Sequence, residues 1–371
     1  MSDKRGTDLI AGRRILVTGA AGFIGYHVSE RLLALGATVV GLDGMTPYYD
    51  VRLKRARLER LAGRPGFSIH EFMLEDAARL MALVAETRPD VVIHLAAQAG
   101  VRAGVENPRA FIESNVVGTF NLLEACRETR PSHLLLASTS SVYGDGGSRA
   151  PSRETDETSR PLSLYAATKK STEVIAHAYA HLHGLPTTAF RFFTVYGPWG
   201  RPDMAIFKFT AAILDGRAIE IYGEGRMQRD FTYVDDIVAG IVGLVNLPPP
   251  APGAQEGGEG ARGDVAVDRE TGLGAPAGGT DDEPGLSPSA PFRIVNIGAA
   301  QPVELLDFIA AIEAAAGRPA ERVFLPMQRG DVRRTHADSA ALRRLVTLPP
   351  ATPVGEGVRA FVDWYRGYYG V

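Results

Sequence analysis

The 371-residue chain reads as an α/β protein, a doubly wound parallel sheet followed by a smaller C-terminal lobe. Three observations predict this. Short apolar runs alternate with helical stretches over the first half of the chain, the pattern of strands buried on both faces. A glycine-rich turn, Gly19-Ala20-Ala21-Gly22-Phe23-Ile24-Gly25, joins the first run to the first helix. After about residue 190 the alternation loosens, and mixed helical and strand-like pieces follow.

Taken in order, RRILVT (13–18) is the first strand, closed by Gly19, and a helical pattern runs from about Phe23 to Leu35. ATVVGLD (37–43) is a second buried strand ending in an acid. A basic helix at about 50–62 precedes a third strand, SIHEFM (68–73). PDVVIHLAA (89–97) and HLLLAST (133–139) are further buried strands, separated by the helix TFNLLEACRE (119–128). The segment 166–181 is helical. Beyond it, helices are expected at 207–216, 234–246 and 305–317, and one more buried strand at FRIVNIG (292–298). A dinucleotide-binding domain is thus expected over 1–190, with the segments at about 232–247 and 292–298 returning to it. Residues 191–371 form mainly the second lobe.

Composition supports an ordinary globular protein, with 45% hydrophobic and 22% charged residues. One cysteine, Cys126, excludes an internal disulfide and a multi-cysteine metal site. The net charge of −3 is unevenly placed. Residues 248–291 carry eight acids and two bases, which leaves a surplus of three positive charges on the rest. That body suits an anionic small ligand but carries no footprint for nucleic acid. Eighteen of those 44 residues are Pro or Gly, so the segment is expected to be a disordered surface loop. The N-terminal MSDKRGTDLI lacks the apolar core of a signal peptide, and no run approaches the roughly 18 apolar residues of a membrane span. A soluble, cytoplasmic protein with no membrane partner is expected.

The glycine turn suits a dinucleotide. Gly19 permits the tight turn, Gly22 lets backbone approach a pyrophosphate, and Gly25 lets helix and strand pack closely. Such turns also serve packing alone, but here a strand precedes, a helix follows, and Asp43 ends the second strand 18 residues beyond Gly25. A carboxylate there binds both hydroxyls of an unphosphorylated ribose, which favours NAD over NADP. A turn-capping role for Asp43 is the plainer alternative.

Tyr165 and Lys169 stand one helical turn apart, on one face. A free phenol, with a pKa of about 10, is a poor base until nearby cations favour its ionised form. Taken alone, the pair reads better as an amphipathic helix face. Upstream, LLLASTSSVYG (134–144) runs off a strand end into a cluster of hydroxyls, where ligands of such folds sit. Asp235 and Asp236 are read as N-cap residues of their helix. His181 and His183 have no acids at ligand spacing, so no metal is expected.

Together these residues resemble the extended short-chain dehydrogenase/reductase family of Rossmann-fold, NAD-dependent enzymes that act on nucleotide sugars. The resemblance covers nearly the whole chain except the first dozen residues and 248–291. It is carried by PYYDVRLKRARLERL (47–61), HLAAQAGVR (94–102), SLYAATKK (163–170), RFFTVYGPWGRPDM (191–204) and MQRDFTYVDDI (227–237). Within the family these stretches are most similar to the branch that inverts C4 of UDP-uronates, interconverting UDP-glucuronate and UDP-galacturonate through a transient 4-keto sugar without net redox.

The resemblance implies roles. Tyr165 is the base, Lys169 holds the nicotinamide ribose and lowers the phenol pKa, and Thr139 is the hydroxyl of the triad, with Ser138 or Ser140 as the fallback. Gly19, Gly22, Phe23, Ile24, Gly25, Asp43, Leu74, Leu95, Ala96 and Lys169 contact the cofactor. Where the family places an aspartate for the adenine amino group this chain has Met73, with the Leu74 backbone, Glu75 or Asp76 as substitutes. Ser140, Ser141 and Thr194 face the sugar, Arg201 and Arg229 its acid and diphosphate, and Tyr222 and Phe207 the uracil. Alternatives for Arg229, pairing with Asp230, and for Phe207, a place in the core, stay open. Family decarboxylases typically carry glutamate at the Ser141 position, dehydratases an Asp-Glu pair nearby, and UDP-galactose epimerases asparagine at the Thr194 position. The competing readings are therefore a UDP-hexose 4-epimerase, a UDP-glucuronate decarboxylase and a non-catalytic NAD-sensing scaffold. A homodimer is implied by the resemblance alone.

Overall fold

Uninterrupted runs such as Ile15-Leu16-Val17 and Val91-Val92-Ile93 shed water on both faces only when covered from both sides, and all six of these side chains are fully buried. The structure, a computed structural model, describes residues 10–145, 151–252, 284–328 and 330–371. The chain runs β1 (Arg14–Thr18), α1 (Phe23–Ala34), β2 (Thr38–Asp43), α2 (Val51–Ala62), β3 (Phe67–Glu71), α3 (Ala77–Thr87) and β4 (Val91–His94). Two short helices, α4 (Val101–Glu106) and α5 (Pro108–Phe111), pass through a π-helical turn (Ile112–Val117) into α6 (Gly118–Thr129). Next come β5 (His133–Thr139), a 3-10 turn (Ser140–Tyr143), α7 (Leu164–His183), β6 (Thr187–Phe192) and β7 (Thr194–Tyr196). The remainder is α8 (Ala205–Asp215), β8 (Ile219–Tyr222), β9 (Gln228–Tyr233), α9 (Val234–Leu244), β10 (Phe292–Ile297), β11 (Pro302–Glu304), α10 (Leu305–Ala316), β12 (Arg322–Leu325), α11 (Ala340–Leu345) and α12 (Val354–Tyr369).

Seven parallel strands form the main sheet, in the order β10-β6-β5-β4-β1-β2-β3. β1 lies between β2 and β4, so successive connections leave it in opposite directions and open a crevice beyond the carboxyl ends of β1 and β4. One face is covered by α1 and α9, whose Val28, Leu32, Ile237 and Ile241 join the sheet's Ile15, Val39 and Ile93 in one core. The other is covered by α3, α6 and α7 through Leu80, Leu122, Ala176 and Ala180.

The smaller lobe has its own core. β7 and β9 pair parallel, β9 and β11 antiparallel, and β8 pairs parallel with β12. Phe231 and Phe308 stack at 3.8 Å between ring centres, with Ile213, Ile221, Phe361 and Tyr365 around them. A cut at residue 190 falls inside β6, which continues to Phe192, and the segments 234–244 and 292–297 lie in and against the large sheet. Asp230 ties the two parts. Its buried carboxylate accepts the backbone N–H groups of Ala299 (2.9 Å), Ala300 (3.1 Å) and Ala337 (2.9 Å).

Two sequence expectations are corrected here. The acidic segment was expected to be disordered from 248 to 291. Of it, 253–283 lies outside the described residues, but 284–291 is ordered against β10. Ile294 N–H donates to the Gly285 carbonyl at 2.9 Å and Ser287 N–H to that of Phe292 at 2.8 Å. Nor do Asp235 and Asp236 cap α9. Tyr233 holds the cap position, and both aspartates lie in the first turn, where negative charge is also favoured. Asp236 accepts the N–H and hydroxyl of Thr352, each at 2.9 Å.

Candidate active site

The glycine turn is built around close approaches. Gly19 has φ +73°, and a Cβ there would stand 2.8 Å from the Ala96 nitrogen. A Cβ on Gly25 would sit 2.0 Å from the Gly19 carbonyl oxygen, so any side chain would push α1 off the turn. Gly22 is the cap of α1, and the first N–H groups of Phe23, Ile24 and Gly25 follow it at the crevice. Leu95 and Ala96 lie alongside, their N–H groups bonded to the Thr18 carbonyl and hydroxyl, each at 3.2 Å. Asp43 stands at the end of β2. Its carboxylate takes the Ala21 N–H at 3.1 Å and the Met45 N–H at 2.8 Å, with the Lys54 ammonium 3.6 Å away. It therefore does cap a turn, and it does so at the crevice edge where a ribose would lie.

Around the expected adenine position the side chains separate. Asp76 is spent as the cap of α3, accepting the Arg79 N–H at 3.1 Å. The Leu74 carbonyl is taken by Asn121 at 3.0 Å. Met73 lies against Gly44, where a Cβ would come within 2.3 Å of its sulfur. Glu75 takes the Ser114 hydroxyl at 2.8 Å through Oε1, and its other oxygen is buried without a partner.

Tyr165, in the first turn of α7, and Thr139, at the end of β5, come together at this edge. Withdrawal from water raises the phenol pKa, and the Thr139 hydroxyl and the Arg201 charge oppose that rise. Lys169, one turn further on, is buried, its own pKa pushed down to about 8 by loss of water, with Glu173 pulling the other way. The Ser138 fallback is excluded. Strand alternation turns its hydroxyl to the opposite side, where it donates to Glu173 at 2.6 Å. Ser140, Ser141 and Thr194 are half-buried at the same sheet edge, and Ser141 N–H donates to the Thr139 hydroxyl at 3.2 Å.

Beneath α7 runs a buried polar chain. Arg191 of β6 holds Glu173 with two bonds of 2.9 Å, and its Nη1 donates to Tyr143 at 3.0 Å. Tyr143 donates to Asn296 of β10 at 2.7 Å. Burial pushes the Glu173 carboxyl up, but the hydrogen bonds and charge of Arg191 bring it below the usual carboxylate range. The sequence did hold a signal for Glu173. Tyr165, Lys169 and Glu173 repeat every four residues, a polar stripe on a helix rich in alanine.

The remaining expected ligand residues divide. Arg201 is chelated by Asp203, with Nε to Oδ1 at 2.9 Å, and its guanidinium lies 5.7 Å from the centre of the Tyr48 ring. Arg229 does not pair with Asp230, which is committed to backbone. It donates to the carbonyls of Gln228 and Arg333, each at 3.0 Å, which leaves Nε and Nη2 for an anion. Tyr222 carries the Arg102 guanidinium at 4.9 Å over its ring and packs against the core of the smaller lobe. Phe207 is corrected to a core residue. It is buried among Phe361, Trp364, Tyr365 and Tyr369, with ring centres at 5.2 to 6.2 Å. Arg102 and Asp203 fall within the quoted motifs but had no role assigned, because Tyr222, under Arg102, and Tyr48, which reaches Asp203, lie on other segments.

Lys169 has a measurable consequence. Its pKa is lower folded, about 8, than its ordinary 10.5, so the unfolded chain binds more protons between these values and stability rises with pH across that window. Below pH 8 the buried ammonium is a cost. Lys169→Met should therefore raise the unfolding free energy of the ligand-free protein at pH 7 by about 2–3 kcal/mol. The gain should fade as pH climbs from 8 toward 10.5, read by urea unfolding across a pH series.

A family model described as the NAD dependent epimerase/dehydratase family matches residues 15–251. A Rhizobium meliloti protein named "Probable UDP-glucuronate 4-epimerase" is 52% identical over 356 residues, 96% of this chain and 98% of that one. The crystal structure of UDP-glucuronic acid 4-epimerase from Bacillus cereus, in complex with UDP-glucuronic acid and NAD, superposes with a TM-score of 0.80 at 30% identity. That match covers 96% of this chain and all of the other. UDP-glucose 4-epimerase from Thermotoga maritima, with UDP-glucose, gives 0.77 at 27% identity, covering 96% and 99%. From its glycine turn to its Tyr165–Lys169 helix, the chain belongs to the NAD dependent epimerase/dehydratase family.

Proposed function

We propose that the protein inverts C4 of UDP-glucuronate to give UDP-galacturonate, with NAD as a resident cofactor. The observation that carries this is the edge of the sheet where Tyr165 and Thr139 meet, flanked by Ser140, Ser141 and Thr194 and free of any acid at the Ser141 position. The cradle suits the cofactor, since Gly19 and Gly25 have no room for a Cβ and Asp43 holds a carboxylate at the ribose position. When bound, NAD supplies the hydride acceptor and donor for C4. Phe23, Ile24 and Gly25 offer N–H groups to its pyrophosphate, the Gly22 N–H being taken by the Gly19 carbonyl at 2.9 Å, and Lys169 offers its ammonium to the adjoining ribose.

Tyr165, ionised, removes the 4-hydroxyl proton and later returns it, while the Thr139 hydroxyl steadies the negative charge on the phenol. Arg229 holds the diphosphate through its open Nε and Nη2, so the keto sugar turns on a fixed tether. A β-keto acid loses CO₂ when its carboxylate bond aligns with the ketone. Hydroxyl donors from Ser140, Ser141 and Thr194 hold the carboxylate out of that alignment. The relatives support this reading over the hexose one, since the Rhizobium meliloti protein named for the uronate is 52% identical and the Thermotoga maritima hexose epimerase 27% identical. The smaller lobe serves as the substrate-binding lobe, and a cytosolic setting fits a chain whose one cysteine is fully buried. Among the described residues no helix is long and apolar enough to cross a membrane.

Self-association belongs to the same reading. Ile112, Val117 and Phe120 on the π turn and α6, with Val174 and Leu182 on the adjacent α7, are exposed at 41 to 70%. Two copies pairing these helices would cover them. Phe120→Glu with Val174→Glu should halve the mass measured by light scattering; an unchanged mass would rule this face out. For the chemistry, purified protein given UDP-glucuronate and no added cofactor should form UDP-galacturonate, followed by proton NMR. Tyr165→Phe should slow this by about 10²–10⁴-fold while NAD stays bound. Turnover left intact by that substitution would remove Tyr165 as the base.

A further inference from the structure

The basic helix α2 and the tyrosines before it have no place in the chemistry above, yet two of its cations are buried. Lys54 is 6% exposed and Arg57 not at all. A lone buried guanidinium is costly unless its donors are met by acceptors. The four N–H bonds of the Arg57 Nη1 and Nη2 are met by three separate parts of the chain, while Nε is buried without a partner. Nη1 donates to the Ala21 carbonyl in the glycine turn at 2.9 Å and to the Tyr49 hydroxyl at 2.7 Å. Nη2 donates to the Trp199 carbonyl at 2.6 Å and the Gly200 carbonyl at 3.3 Å. The planar fork thus joins the cofactor turn to the loop 197–204.

That loop is under strain. Trp199 has φ +60°, a region that bulky side chains avoid. A second tie holds the same stretch. His27 of α1 faces the Pro198 carbonyl at 2.9 Å, and since a carbonyl only accepts, Nε2 carries the proton. Gly200 alone separates Trp199 from Arg201, whose guanidinium is fixed by Asp203, itself bonded at 3.3 Å by the Tyr48 hydroxyl from the segment before α2. Around Tyr165, Thr139 comes from β5, the uncharged Phe111 ring packs edge-on from α5, Lys169 follows one turn along α7, and Arg201 is the cation of the 197–204 loop.

We propose that Arg57 is a positioning residue: its fork holds the 197–204 loop in the strained form that fixes where the Arg201 charge stands relative to Tyr165, and anchors that loop to the turn that cradles the dinucleotide. The proposal rests on Tyr165 as the base but is tested without turnover. Tyr165 is one of twelve tyrosines, so its ionisation is isolated by subtracting the ultraviolet titration of the Tyr165→Phe variant from that of the same protein with Tyr165 intact. Arg201→Met should move this difference titration to higher pH. Arg57→Lys keeps the positive charge but loses the fork, and should produce at least half of that shift. Adding Arg201→Met to Arg57→Lys should then produce less further shift than Arg201→Met produces alone.

If Arg57→Lys leaves the titration in place while Arg201→Met moves it, Arg57 is a structural residue only and the proposal fails. It fails equally if Arg201→Met moves nothing. Should Arg57→Lys not fold, as judged by near-ultraviolet circular dichroism, His27→Leu removes only the Pro198 tie. It should shift the same titration in the same direction by a smaller amount, and no shift would overturn the proposal. Loss of activity in Tyr165→Phe is a separate result, so failure of the epimerase reading and failure of the Arg57 role are told apart.

Discussion

The pair formed by Glu173 and Arg191 fixes the helix that bears Tyr165 and Lys169 to the sheet beneath it. Both side chains are essentially excluded from water, and each is costly there without the other. Their partners extend the pair into a chain, Ser138 on β5, Tyr143 in the 3-10 turn and Asn296 on β10. Ser138 precedes Thr139, and Glu173 lies one turn beyond Lys169. The polar chain thus reaches both sides of the reacting groups without touching a substrate. Apolar packing alone would leave α7 free to slide along the sheet. A bidentate bond with fixed directions does not.

On that frame two of the buried cations, Lys169 and Arg57, have opposite fates. Lys169 has no hydrogen-bonded carboxylate and is held near pH 8, close to releasing its proton. Arg57 has no carboxylate either, but carbonyls and a hydroxyl meet four of its N–H bonds, and a guanidinium stays charged. The first is a group poised to interact with a bound ligand. The second is a strut. Stability is spent in both places at a point where the chain needs geometry.

Much of the large sheet was legible from sequence because each strand is a run of residues that must be buried on both faces. HLLLAST matches β5 residue for residue. The smaller lobe was harder. β7 and β11 have three residues each and β8 and β12 four, too short for periodicity to show, and tertiary pairing makes them strands. The glycine turn and the Tyr165–Lys169 pair stand out because each belongs to a local pattern, and the family resemblance singles out Thr139. Phe207 was misplaced because an aromatic reads alike in a core and in a pocket, and its cover, α12, lies 150 residues further on. The roles of Arg57, Tyr48 and Arg102 were hidden for the same reason. VRLKRARLERL has the look of a solvated basic face, and only the folded chain shows Ala21 and Trp199 on either side of it.

The central claim is that one cofactor takes the hydrogen from C4 and returns it to the other face of the same sugar, with the carboxylate retained. UDP-glucuronate deuterated at C4 tests this directly in a proton and deuterium NMR time course with the protein alone. UDP-galacturonate that keeps its deuterium at C4, with no CO₂ released, is the result expected. A UDP-pentose product, or deuterium lost from C4 to solvent, would contradict it.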